Sequence, residues 1–505
     1  MKRLSALFLA LLLILTACGT QMPDASGSSA GSASGDVSQE PAPAAVPFTL
    51  AVYPEFSLHP TLAANRANLT LSPLLYESLF TVDAAFQAQP VLCQNHTASE
   101  DKLVWTFTLR SGITFSDGTP LTGQTVADAL NLARSAQGRY AQRLADIISV
   151  TAPEDAPRQV VITLRRPNGA LPLLLDIPIA LGVEERPAGT GPYVLSESGL
   201  SLTARERWWQ SGEKALPIQS IPLHAVNKSD ELIYAFDAGE VSLVDADLMA
   251  TNAMGYGGNY QTWDYGTTDF LYLGFNIHQG PCRSPQVRQT LAMAVDRSAI
   301  ASVIYANHAI ASPLPVHPAS PLYSSEAASS APVCDPEALA TRLEDQRLQN
   351  QAFILLVNSE NIAKASAAQR VAYQLNAAGL TVELRQLPYE DYASALAQGN
   401  FDLYLGETVL TADFDLSPLL GSAGALNYGG WRDGETDGLL YALHAAALED
   451  RPAAAENLFV RLNDQMPIVP IAFKSGSVLT QWGRLTGLSP VRGNVFYQIE
   501  KWSVR

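Results

Sequence analysis

The sequence predicts a mixed α/β protein built from more than one lobe. Short apolar or alternating runs of strand character return between amphipathic stretches along the whole chain. Residues 353–357, 361–378 and 380–384 read as strand, helix and strand in succession, a spacing that implies a parallel pair. The body, residues 48–505, is too long for one hydrophobic core and calls for two or three lobes.

The elements follow in order. Residues 48–53 read as the first strand and 69–80 as a helix with an apolar face. Residues 105–110 alternate with period two, as a half-buried strand does, and Ser116-Asp117-Gly118-Thr119-Pro120 is a turn cluster. Thr122 opens a helix with Val126, Leu130 and Ala133 on one face; residues 160–165 are a further strand. Gly189-Thr190-Gly191-Pro192-Tyr193 is a loop entering a strand. The apolar run 270–276 suits a buried strand, and Ser284-Pro285 starts a helix running through Val287, Leu291, Val295 and Ile300. Short strands are expected at 401–405 and 468–473. No internal repeat is visible.

Composition excludes some classes. Apolar residues make up 47% and charged residues 16%, ordinary for a globular protein. The net charge of −17 argues against nucleic acid, whose phosphates demand Lys and Arg. At the N-terminus, Lys2-Arg3 precedes an apolar run from residue 6 to 17, too short to span a bilayer but right for a signal-peptide core. It ends in Leu15-Thr16-Ala17-Cys18-Gly19, which resembles a bacterial lipobox. The resemblance implies removal of residues 1–17 and acylation of Cys18, anchoring the protein outside the cytoplasm. Residues 18–47, rich in Gly, Ser, Ala and Pro, read as a flexible tether.

Of the remaining cysteines, Cys93, Cys282 and Cys334 are far apart and form no C-x-x-C. A Cys282–Cys334 disulfide is the most plausible pairing, since both lie in Pro-flanked loops; three reduced thiols are the alternative. The seven histidines show no H-x-H or H-x-x-x-H, so no metal site or cofactor is expected. H-E-x-x-H is absent, and G-x-S-x-G occurs only as Gly27-Ser28-Ser29-Ala30-Gly31 inside the tether, where a nucleophile elbow has neither strand nor helix. A secreted hydrolase therefore finds no support, and no enzyme is expected.

Several blocks, in order, resemble one family. They are Leu58-His59-Pro60 with residues 74–80 (LLYESLF); residues 105–122, Trp-Thr-Phe-Thr-Leu-Arg-Ser-Gly-Ile followed by Phe115-Ser-Asp-Gly-Thr-Pro-Leu-Thr; Gly189 to Tyr193 with Arg207-Trp208-Trp209; and Phe275-Asn276 with Val287-Arg288-Gln289 and Ala294-Val295-Asp296-Arg297. The chain resembles the extracytoplasmic solute-binding proteins of peptide and nickel importers, family 5. The resemblance implies a two-lobed fold like that of periplasmic binding proteins (type II, cluster C), with a subdomain inserted in the first lobe. The expected division is 48–268 for the first lobe, with the insertion at about 73–182; 269–475 for the second lobe; and 476–505 returning to the first. Crossing strands are expected near 265–275 and 473–480, with ligand held between lobes that close by a hinge. Most block residues read as scaffold. Arg288 and Asp296, for example, are expected to fix a helix.

The implied function is capture of short peptides by a monomeric lipoprotein and delivery to an ABC permease and its ATPase. Nickel- or haem-chelate binding, or peptide sensing, remain open alternatives. A buried peptide ammonium wants a carboxylate. By resemblance it would lie in residues 405–416, making Asp413 the first candidate and Asp415 the second; Asp415 also fits a helix cap. Glu407 stands where the family usually has Trp, and adds a third carboxylate. Tyr428 and Trp431 are candidates to line the cleft, with core packing equally open. His59 is a candidate because its segment often approaches the cleft in this family.

Overall fold

The computed structural model describes residues 47–505 except Asn252. The readings of a signal peptide, of the tether and of Cys18 acylation lie outside the described residues.

The first lobe carries a four-stranded sheet in the order Leu50–Val52, Ser220–Ala225, Ser201–Ala204, Tyr193–Leu195. An antiparallel sheet of Cys93–Ala98, Val104–Leu109, Gln159–Leu164 and Ile147–Thr151 forms a separate subdomain with its own core. Alternation in Val104–Leu109 buries Trp105, Phe107 and Leu109 against the helix Gly123–Ala133. Thr122 caps that helix by accepting from the Thr125 backbone N–H, while the Thr125 hydroxyl accepts from the Thr122 N–H.

The second lobe is built on a seven-stranded sheet. Its path runs Leu243–Ala246, Ile468–Gln481, Tyr260–Phe275, Leu403–Val409, Ala352–Asn358, Thr381–Leu387, with Ala309–Ala311 also paired to Ile468–Gln481. Ala352–Asn358 is parallel to both Thr381–Leu387 and Leu403–Val409, the crossover being the helix Ile362–Ala377. Cores lie on both faces of this sheet. Leu271, Leu273, Leu403 and Leu405 face one, and Phe270, Tyr272, Tyr404 and Phe473 the other.

Two strands of this sheet run through both lobes. Trp263, Tyr265 and Val478 pack with Leu50 and Leu223 of the first lobe, whereas Phe270 to Phe275 and Ile468 to Phe473 pack in the second-lobe cores. Their antiparallel ladder is interrupted between Gly266 and Phe270, at the passage from one lobe to the other. Side chains fill the gap: the Thr267 hydroxyl donates to the Lys474 carbonyl (2.7 Å) and the Thr268 hydroxyl to the Leu410 carbonyl (2.6 Å).

The sequence blocks converge on scaffold. Glu77 accepts from the indoles of Trp208 (3.1 Å) and Trp209 (2.8 Å), and Arg205 donates to carbonyls of Gly191, Thr114 and Phe115. Burial pushes the Glu77 carboxyl up to about 7. Gly189 and Gly191 are needed for close approach, since a Cβ on either would lie 2.1 or 2.5 Å from backbone atoms of Leu75. Arg288 is buried and donates to the carbonyls of Cys282, Arg283, Gln465 and Met466. Asp296 caps the turn Arg297–Ala299 and pairs with Arg370 at 2.7 Å.

Three expectations need correction. Residues 69–80 are not one helix but Arg66–Thr70, Ser72–Leu75 and the strand Phe80–Val82, because Pro73 starts a new helix. The helix from Pro285 ends at Ala292, and Asp296 caps a separate turn. Cys282 and Cys334 are not bonded: Cys93, Cys282 and Cys334 are all free, Cys282 lying in the second-lobe core and Cys334 beside Gln374.

Candidate ligand-binding site

In an open α/β sheet, ligands bind beyond the carboxyl ends of the parallel strands. Here that edge is made by the segments after Ala352–Asn358 and Leu403–Val409, and it meets the lobe crossing because Val409 pairs with Asp269. Two polar groupings occupy it, one on each face of the sheet.

On the face of Leu405, Ala472 and Leu271 stand Glu407, Lys474 and Asp269. Lys474 is 4% exposed, and its ammonium lies 3.0 Å from Glu407 Oε1 and 3.1 Å from Asp247 Oδ2. Burial alone would lower its pKa; Glu407 and Asp247 outweigh this and raise it. Glu407 Oε2 also accepts from the Asn361 amide at 3.4 Å. Asp269 is raised by burial, and Lys474 only partly offsets this. The Tyr305 hydroxyl, which feels the charges of Glu407 and Asp247, is buried without a hydrogen-bond partner among the described residues. Beside Asp247, in the first lobe, lies a cavity of about 410 Å³ whose polar lining includes Tyr53, Asn65, Arg66 and Asp245. That volume is in the range of small-molecule sites.

On the other face the chain turns through 410–416, with Phe414 in the left-handed region (φ 55°) and packed on Phe86 and Phe473. Asp413 is 2% exposed. Its Oδ2 accepts from the Asn168 amide at 3.1 Å, and its backbone carbonyl accepts from Arg451 at 2.9 Å. Its Oδ1 is buried with no hydrogen-bond partner among the described residues. Asp415 Oδ1 accepts the Ser417 N–H and lies 2.8 Å from His444 Nε2. Burial would raise the Asp415 carboxyl; His444 and Ser417 outweigh it and hold it at about 2. The loop before Ala170 closes over this group, its Gly169 N–H donating to the His444 carbonyl at 2.7 Å.

The other sequence candidates sit elsewhere. Tyr428 lines a second cavity of about 420 Å³ with His278, Gln398 and Arg432. This is near Phe275, roughly 20 Å of strand from Asp269. Trp431 is nearly buried beneath Arg288, whose guanidinium is 5.7 Å from the ring centroid. His59 is 1% exposed; its Nε2 lies 3.2 Å from the Gly182 carbonyl and its Nδ1 accepts from the Thr61 N–H, so both ring nitrogens are engaged. Sequence reasoning missed Lys474, Asp247, Asp269 and Lys364. A signal existed for two of them: Lys474 extends an apolar strand, and Lys364 lies on the apolar stripe of its helix with Ala365, Ala368, Val371 and Leu375. Among the described residues no group of three or more His, Cys, Asp or Glu is disposed to hold a metal ion, and no helix is long and apolar enough to cross a membrane.

Two α/β lobes threaded by a pair of crossing strands, with charge gathered where they meet, fit the class of bacterial extracellular solute-binding proteins. The chain belongs to family 5 of that class: residues 87–427 match the family described as "Bacterial extracellular solute-binding proteins, family 5 Middle". It is 28% identical over 297 residues to the glutathione-binding protein GsiB of Salmonella typhi, a match covering 53% of this chain and 56% of that protein. The match thus spans little more than half the length of that relative. HbpA2 from Haemophilus parasuis superimposes with a TM-score of 0.76 at 19% identity, covering 90% of this chain and 99% of that one. A nickel ABC transporter structure from Bacillus halodurans gives 0.72 at 20% identity, covering 89% and 97%. These structures share the two-lobed fold.

Proposed function

We propose that this protein captures short peptides between its lobes, is held to the cell membrane through acylated Cys18, and hands its ligand to an ABC permease. The lobes, divided near residues 268 and 476, open and close about the ladder break at 266–270. The ligand ammonium is received by Asp413. The observation that carries this is the buried Asp413 Oδ1, an acceptor without a hydrogen-bond partner among the described residues, at the contact between the second lobe and the Asn168 loop. Leaving such an acceptor unmet costs about 1–3 kcal/mol, and an ammonium would meet it. The glutathione-binding relatives support a peptide, since glutathione is itself a tripeptide with a free amino group. Glu407 is already engaged by Lys474 and Asn361 and shapes the opposite side of the site.

The test is thermal unfolding of the purified body against di- to pentapeptide pools, with nickel, nickel-histidine and haem in separate wells. A ligand at a hundred times its Kd adds about 2.7 kcal/mol. A shift with peptides alone is expected. A shift only with nickel-histidine or haem would replace the ligand while keeping the fold.

A further inference from the structure

The cavity of about 420 Å³ near Phe275 lies at the amino edge of the parallel strands, where Gln398 and Gly399 precede Leu403–Val409. Asp413 follows the same strand, so the cavity is at the opposite end of the sheet from the candidate ligand site. Its volume is that of a small-molecule site. The described residues that line it include two basic side chains, His278 and Arg432, and no carboxylate. That lining runs against the balance of the chain, which has 49 Asp and Glu to 32 Lys and Arg.

The Arg432 guanidinium, charged at any ordinary pH, makes no hydrogen bond, ion pair or ring contact with any described residue. The ring nitrogens of His278 and the hydroxyl of Ser422, also in the lining, have no partner among the described residues either. Nearby carboxylates are engaged elsewhere: Asp433 with Arg461 at 3.0 Å, Asp437 with the Ser422 N–H at 2.8 Å, and Asp402 with the Ile354 N–H at 2.8 Å. The helix Tyr389–Gln398 ends at the cavity, but the Ala395, Leu396 and Gly399 carbonyls already accept from the Asn400 N–H, the Gly399 N–H and the Asn276 amide. This limits the negative potential of the helix end.

The wall carrying these groups is held in place. The Asn427 amide donates to the Gly421 and Trp431 carbonyls, and its oxygen accepts the Trp431 N–H. The Ile277 N–H donates to the Gly429 carbonyl at 2.9 Å. Gly430 has φ 71°, and a Cβ there would collide with His278 Nε2, so only glycine lets the imidazole lie against this turn.

We infer that this cavity binds a small oxyanion, the carboxylate or phosphate group of a metabolite-sized molecule. Arg432 receives two of its oxygens and His278 a third. The site is separate from the interlobe cleft and independent of the peptide reading.

The test is equilibrium dialysis of the purified protein against radiolabelled citrate and inorganic phosphate in chloride at about physiological ionic strength, with and without an excess of the peptide pools. Wild type should bind at least one of the two anions, undisplaced by peptides. Arg432→Gln should weaken that binding at least about tenfold, and His278→Gln should weaken it too. Arg342→Gln, which removes an exposed cation from the helix Pro336–Asp345, should leave it unchanged. His278 and Arg432 are exposed, so both variants should melt with wild type. Binding of citrate alone assigns the site to carboxylates, and of phosphate alone to phosphates. Binding of neither anion, displacement by peptides, unchanged binding in Arg432→Gln, or an equal loss in Arg342→Gln overturns the inference.

Discussion

Replacing Lys474 by Met tests the charge arrangement at the lobe crossing. Met is close in volume, so packing of the strand Ile468–Gln481 is kept while the ammonium between Asp247 and Glu407 is removed. Breaking a buried ion pair from one side costs about 3–5 kcal/mol, because the stranded partners keep their desolvation penalty. The side chains of Asp247 and Glu407 retain 18% and 20% exposure, so the low end, about 3 kcal/mol, is expected. Since Lys474 is raised in the folded state, its contribution is fully present below its ordinary pKa of 10.5 and fades as pH rises through the folded value. Calorimetric melting of wild type, Lys474→Met and Lys474→Met/Glu407→Gln forms the assay. The double variant should recover part of the loss. A Lys474→Met deficit below about 0.5 kcal/mol, or strictly additive effects, would refute the reasoning.

Three other outcomes are expected. The Asp415–His444 pair should stabilise most between about pH 4 and 6.5. Asp415 is depressed from 3.8 to about 2, so its contribution is lost as pH falls through that range; His444 is raised above 6.5, so its contribution is lost as pH rises beyond it. Asp415→Asn should flatten that window in a pH series of melting temperatures. Gly189→Ala should destabilise by about 1–3 kcal/mol, since its Cβ would meet the Leu75 carbonyl oxygen at 2.1 Å; a neutral urea midpoint would contradict the close approach. Cys18→Ser should release the protein from membranes with binding intact, measured by fractionation; continued membrane association would remove the lipid anchor.

The sequence made the second-lobe strands and helix legible because their periods are unbroken. Ala352–Asn358, Ile362–Ala377 and Thr381–Leu387 lie within a few residues of their expected bounds. The crossing strands were only half legible. Their apolar segments at 270–276 and 468–473 read clearly, but the stretches through Gly266-Thr267-Thr268 and Ser475-Gly476-Ser477 are polar and lack alternation. Those stretches become strand because two distant segments of the chain pair through both lobes, a tertiary cause that no local pattern carries. The site divides in the same way. Asp413 and Glu407 stood out as carboxylates around a strand end. Asp247, Asp269, Lys364 and Lys474 come together from four distant segments, so only the topology unites them.

The central claim is that Asp413 receives a ligand ammonium, and it is tested most directly by comparing free-amine with N-acetylated peptide pools on wild type and Asp413→Asn. The account predicts that wild type prefers the free amines and that the substitution removes the preference, weakening free-amine binding while leaving the acetylated pool little changed. Equal losses on both pools, or no loss on either, would contradict it.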